Sequence, residues 1–224
     1  MRPTLVLFDV NETLSDLQPL RRRFEEVGAP GDLLEAWFAS TLRDGFALTA
    51  AGAYADFRTV ALAVLRGRLD QIETLRCDPG EAAEQIVSGV GELDIHPDVE
   101  DGVRKLAHAR VRMATLTNGS AEVAEKLLER AGLADLVERR LSVDSVKRWK
   151  PAPEPYLYAA RDLGVRPDQC VLVAAHPWDV DGAKRAGLRG AWLNRKRSHY
   201  PDFFERPDAS GETLGGLADL LLAD

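Results

Sequence analysis

Apolar residues in this chain gather into short uninterrupted runs separated by longer amphipathic stretches. Four runs, at 4–8, 111–116, 171–174 and 190–193, are too short for helices. They read as strands buried on both faces, whose hydrophobicity is continuous rather than alternating. A weaker fifth run lies at 140–143. Between them the spacing predicts helices over 97–109, 121–131, 153–163 and 178–186, with Gly132, Gly164 and Gly187 at the ends where helices prefer to stop. Strands alternating with helices indicate a doubly wound α/β fold on a parallel sheet. Residues 16–93 break the rhythm: they hold no convincing strand and several helical stretches, including 31–51 and 54–68. The expected organisation is a core made of 1–15 and 94–224, with a helical insertion from 16 to 93.

Composition narrows the picture. Apolar residues make up 45% of 224, enough for a sizeable core. Net charge is −7, and the basic clusters Arg21-Arg22-Arg23 and Arg195-Lys196-Arg197 are short, so nucleic acid is not an expected partner. No apolar stretch approaches the roughly 18–20 residues that span a bilayer, and Met1-Arg2-Pro3 leads into no signal-peptide core. The two cysteines, Cys77 and Cys170, suggest no disulfide framework. The expectation is a cytoplasmic protein with a small-molecule ligand and no membrane contact.

In an open α/β sheet, ligands sit beyond the carboxyl ends of the strands. The first strand ends in Phe8-Asp9-Val10-Asn11-Glu12-Thr13, and the second in Leu116-Thr117-Asn118-Gly119-Ser120. Lys150-Pro151 follows, and a later strand ends in Ala174-Ala175-His176-Pro177-Trp178-Asp179. Each piece alone is an ordinary turn or cap. The ordered set delivers a carboxylate, a hydroxyl with an amide, a lysine and a second carboxylate to one edge.

These four strand ends resemble the four motifs of the haloacid dehalogenase superfamily, over nearly the whole chain. Within it the chain is most similar to the type II, or (S)-2-haloacid, dehalogenases. Leu141-Ser142-Val143-Asp144 with Lys150-Pro151 and Tyr156 resembles their third motif, and Trp178-Asp179-Val180-Asp181-Gly182-Ala183-Lys184 their fourth. The resemblance implies a Rossmann-like core with an inserted helical cap. It also implies catalysis through Asp9, Thr13, Lys150 and Asp179, and substrate contacts from Val10, Asn11, Thr117, Asn118, Tyr156, His176 and Phe38. Asp9 would be the nucleophile that forms an ester. Lys150 would keep it ionised, Thr13 would donate to it or to the turn backbone, Thr117 and Asn118 would offer donors to a substrate carboxylate, and Asp179 would activate the hydrolytic water. Members of the family are often homodimers.

Phosphatases of the superfamily carry an acid two residues after the nucleophile and hold Mg²⁺ with a pair of fourth-motif acids. Here those positions hold Asn11 and, for the earlier acid, Ala175. A halide leaves without protonation, so the expected reaction is metal-free dehalogenation with no cofactor. A Mg²⁺-dependent small-molecule phosphatase is the alternative, and a catalytically altered binding protein on the same fold is a second. Two departures touch the dehalogenase reading. Phe38 stands where type II enzymes carry an arginine, and Arg43 lies about 140° around the helix from it. Ala174 and His176 replace a serine and an asparagine; His176 could work on the hydrolytic water or be structural. Phe38, Leu42 and Phe46 share a helical face that reads first as packing. Glu12 is expected at the surface or in a turn.

Overall fold

The computed structural model describes residues 2–223. Its sheet has strands β1 (Leu5–Phe8), β2 (Arg112–Thr117), β3 (Arg139–Ser142), β4 (Cys170–Ala174), β5 (Arg189–Leu193) and β6 (Ala209–Gly211). They run in the order β3-β2-β1-β4-β5-β6, every pair parallel. The helices are α1 (Leu20–Glu26), α2 (Leu33–Ala50), α3 (Phe57–Leu69), α4 (Pro79–Ser88), α5 (Val99–His108), α6 (Ala121–Arg130), α7 (Pro153–Asp162), α8 (Pro177–Arg185) and α9 (Leu214–Leu222).

The side-chain period of two explains why the two central strands, β1 and β4, are apolar throughout. In β1, Val6 and Phe8 enter one core with Val99, Val103 and Leu217, while Leu5 and Leu7 enter the opposite core with Tyr156, Ala159 and Val180. Both faces of β1 are covered, so both parities are apolar there, while the neighbouring β2 buries Thr115 and Thr117. The five expected strands are present within one or two residues. β6 was not anticipated, because Ala-Ser-Gly at a half-exposed edge carries no apolar pattern. Three helices were also missed. α1 offers only Leu20 and Phe24 to the interior among arginines and glutamates, α4 is short and buries only Ala82, Ala83, Ile86 and Val87 behind an Asp78 cap, and α9 lies beyond the last motif.

Residues 16–93 fold as α1–α4 with no strand. They bury a separate apolar cluster that includes Leu20, Phe24, Trp37, Leu65 and Ile86, joined by Trp149 from the sheet side. The reversal of strand order falls between β1 and β4. The loops after β1, β2 and β4 open there, beneath this helical segment.

Candidate active site

Asp9 follows β1 directly, and the next residues turn tightly, with Thr13, Leu14 and Ser15 all donating their amides to the Val10 carbonyl. That turn swings Thr13 back, so its hydroxyl donates to Asp9 Oδ2 at 2.7 Å and accepts from the Ala175 amide at 2.9 Å. Lys150 reaches the same carboxylate from 141 residues away in sequence. It has no exposed surface, and its ammonium donates to Asp9 Oδ1 at 2.9 Å, Asp179 Oδ2 at 2.7 Å and the Leu116 carbonyl at 2.8 Å. The three hydrogens of the ammonium are thereby all used.

Two neighbours fix Lys150. The Asn118 amide grips its backbone, accepting from Lys150 N at 2.9 Å and donating to its carbonyl at 3.3 Å. Trp149 locks the preceding residue to the helical segment: its amide donates to Thr49 Oγ1 and its indole N–H to the Ala55 carbonyl, each at 3.0 Å. The indole lies so close to α2 that a Cβ on Gly45 would meet it at 2.3 Å, which glycine alone avoids. Asp179, in the first turn of α8, is also without exposed surface. Its second oxygen accepts from the Tyr156 hydroxyl at 2.6 Å.

The opposite flank of Asp9 is built differently. His176 precedes α8 and places Nδ1 3.6 Å from Asp9 Oδ2, a charge contact too long for a hydrogen bond. That nitrogen is buried and has no hydrogen-bond partner. Nε2 donates to Glu12 Oε2 at 2.8 Å, and Lys196 donates to the other Glu12 oxygen at 3.2 Å. Glu12 sits in the left-handed region at φ 61°, which turns its carboxylate inward. The imidazole lies against Phe38 and Trp178, with ring centroids 6.0 and 5.2 Å away.

Charge in the site is shared unequally. Burial works to raise the Asp9 pKa, but the Lys150 ammonium, His176 and the Thr13 hydroxyl outweigh it and hold the carboxyl well below the usual carboxylate range. Burial likewise opposes the Lys150 charge, yet Asp179 and Asp9 raise its pKa. Asp179 is pushed upward by burial, which exceeds the pull of Lys150. His176 is desolvated too, and its contacts with Asp9 and Glu12 nevertheless raise it to about 9. The resting site thus holds an ionised Asp9 between an ammonium and an imidazolium.

A model of the haloacid dehalogenase-like hydrolases matches residues 3–187. The chain belongs to that family. Haloacetate dehalogenase H-2 of Moraxella sp. (strain B) is 27% identical over 218 residues, spanning 96% of each chain. (S)-2-haloacid dehalogenase 1 of Pseudomonas sp. (strain CBS-3) is 28% identical over 220 residues, 96% of this chain and 95% of that one. Among solved structures, L-2-haloacid dehalogenase from Xanthobacter autotrophicus superposes with a TM-score of 0.88 at 25% identity, covering 99% of both chains. The same enzyme with chloropropionic acid covalently bound gives 0.86 at 26%, covering 98% of both.

Within this haloacid dehalogenase-like hydrolase, Asp9, Thr13, Lys150 and Asp179 converge as their order along the strand ends predicts. Several substrate contacts do not fall where expected. Tyr156 is wholly buried and faces Asp179, not a cavity. The Asn118 side chain grips the Lys150 backbone through its oxygen and one amide hydrogen, so it positions the lysine, and its second amide hydrogen is not used there. Val10, Asn11 and Thr117 do border a cavity of about 430 Å³, shared with Phe57, Arg58 and Asp144. Phe38 and His176 border another of about 320 Å³, with Leu42, Trp178 and Glu12. Phe38 therefore both packs, against Phe57, and lines the pocket. Arg43 pairs with Asp44 at the surface and leaves the arginine's place unfilled. Glu12 does lie in the turn after β1, as expected, but it is a half-buried partner of His176 and not a surface residue. Trp149 was missed, although its position directly before Lys150 was a signal. Among the described residues, no group of three or more His, Cys, Asp or Glu side chains could hold a metal ion. Asp9 and Asp179 are already bridged by Lys150, so they do not offer the oxygen pair a divalent cation needs. No helix among the described residues is long and apolar enough to cross a membrane.

Proposed function

We propose that this chain hydrolyses the carbon–halogen bond of a 2-haloalkanoic acid without a metal, through an ester on Asp9. The observation that carries the reading is the buried ammonium of Lys150 on Asp9 Oδ1, which keeps an almost fully buried carboxylate ionised and aimed. A carboxylate so held attacks the halogen-bearing carbon from behind the departing halide, with inversion. The halide needs no proton, which suits Asn11 two residues after the nucleophile. The covalently bound chloropropionic acid on the Xanthobacter enzyme supports the same chemistry here. In this reading residues 1–15 and 94–224 form the catalytic core and 16–93 the cap that shields the ester from bulk water. Asn11 and Thr117 then meet the substrate carboxylate in one cavity, and Phe38 and His176 line the other. Phe38 in place of an arginine favours a more apolar acid than a two-carbon one. The enzyme works in the cytoplasm on a small molecule, alone or as a homodimer.

The test is halide release from racemic 2-bromopropionate and bromoacetate in EDTA, with Asp9→Asn as control. Release by the wild type that vanishes in the variant is the expected result. No release from either acid sinks small haloacids as substrates, and release that requires added Mg²⁺ overturns the metal-free mechanism.

A further inference from the structure

We propose that His176 and Glu12 form the dyad that hydrolyses the Asp9 ester, with His176 as the base that activates water and Glu12 as its positioning residue. The proposal rests on the ester mechanism above and reassigns its second half. Asp179, the expected base, has no exposed surface and both its oxygens carry donors, Lys150 at 2.7 Å and Tyr156 at 2.6 Å. Those two donors tie the carboxylate to holding Lys150 in place. On the other flank, the buried Nδ1 of His176 has no partner and stands 3.6 Å from Asp9 Oδ2, beside the cavity of about 320 Å³. Geometry therefore offers the free valence next to the reacting carboxyl at His176.

The chemistry balances. Asp9 Oδ2 displaces the halide, and the ester removes one of the two negative charges that hold the imidazolium. His176 then gives its Nδ1 proton to solvent while Nε2–H stays on Glu12, which fixes ring and tautomer as a carboxylate does behind other catalytic histidines. Water adds to Asp9 Cγ as Nδ1 takes its proton, and the oxyanion forms on Oδ1 against the Lys150 ammonium. Collapse breaks the Cγ–Oδ2 bond. The departing 2-hydroxyacid oxygen receives the proton from Nδ1, and the re-formed Asp9 carboxyl returns its own to His176. Each turnover consumes one water and releases one halide and one proton.

The experiment is rapid-quench bromide release from 2-bromopropionate by wild type, His176→Asn, Glu12→Gln and Glu12→Asp, with mass spectrometry of the Asp9 peptide. His176→Asn is expected to give a bromide burst stoichiometric with enzyme, then stall with Asp9 esterified, its turnover down by about 10²–10⁴-fold. Glu12→Gln should keep the burst, slow ester hydrolysis and move the rise of its pH profile to lower pH, while Glu12→Asp recovers part of the rate. A shift in that profile is something a merely structural Glu12 would not produce. Normal turnover by His176→Asn, or a stall before any bromide appears, overturns the assignment while leaving the ester mechanism standing. Absence of bromide from the wild type removes the mechanism itself, and the dyad with it.

Discussion

The two flanks of Asp9 are both cationic but differ in what they leave unfinished. On one side Lys150, Asp179 and Tyr156 are wholly buried and every polar side-chain atom among them has a hydrogen-bond partner. On the other, His176 and Glu12 are partly exposed, and one buried nitrogen faces Asp9 without a hydrogen bond. A saturated network fixes charge and geometry, because any change leaves a buried polar group unpaired. An unfilled valence beside the reacting group is where a proton can move. The first flank thus sets the nucleophile and the second handles its turnover.

The hardest test of the saturated flank is Lys150→Met. It keeps much of the volume but strands two carboxylates facing each other in the interior. Breaking a buried ion pair by removing one partner costs about 3–5 kcal/mol. We expect that loss in urea unfolding at neutral pH, together with no bromide burst, since Asp9 would no longer be held ionised. A variant that still shows the burst would mean that His176 alone suffices to keep Asp9 charged, and the division of labour would fail.

Tyr156→Phe is a milder cut on the same side. It deletes the hydroxyl that donates to Asp179 Oδ1 and leaves that oxygen buried without a donor. A hydrogen bond to a charged group contributes roughly 1.5–3 kcal/mol, so a stability loss in that range is expected. The bromide burst should persist, because Lys150 still reaches Asp9. Unchanged stability would show that Asp179 Oδ1 is satisfied in some other way.

The sequence and the structure agree most where one residue's role follows from its place in the chain. Asp9, Thr117 and Asp179 each sit at or just past a strand's carboxyl end, so hydrophobic runs alone were enough to bring them to one edge. The apolar parity of β1 likewise identified a doubly covered sheet. What was illegible depends on contacts between distant segments. Tyr156 reads as a substrate contact until α7 is seen to turn it onto Asp179. Nothing in the local sequence around Asn118 reports that it holds the Lys150 backbone, 32 residues on. Glu12 reads as a turn residue because its inward direction comes from a left-handed backbone that no pattern of polarity reports. His176 stayed open between two roles because its partner, Glu12, is 164 residues away.

The subtlest test concerns the pH dependence of stability on the unfinished flank. His176 is raised from 6.5 to about 9 by Asp9 and Glu12, against its own burial. Folding therefore binds its proton more tightly than the unfolded chain does. The stabilisation is complete below pH 6.5 and is lost as pH rises through about 9. Asp9 and Glu12 are shifted the other way, below their ordinary values, so their contributions hold above the carboxylate range and fail only in acid. Lys150, which faces Asp9, is raised by Asp179 and Asp9 against its own burial and keeps its charge across the interval. His176→Asn lacks the titrating group, so the gap in Tm between wild type and variant should be widest below pH 6.5 and shrink towards pH 9. The effect is smaller than either substitution above because it follows one proton rather than a whole network. A gap that stays flat across that window would mean the ring is neutral beside a charged Asp9. Lys150 alone would then carry the electrostatics of the resting site, and the contrast between the two flanks would reduce to geometry.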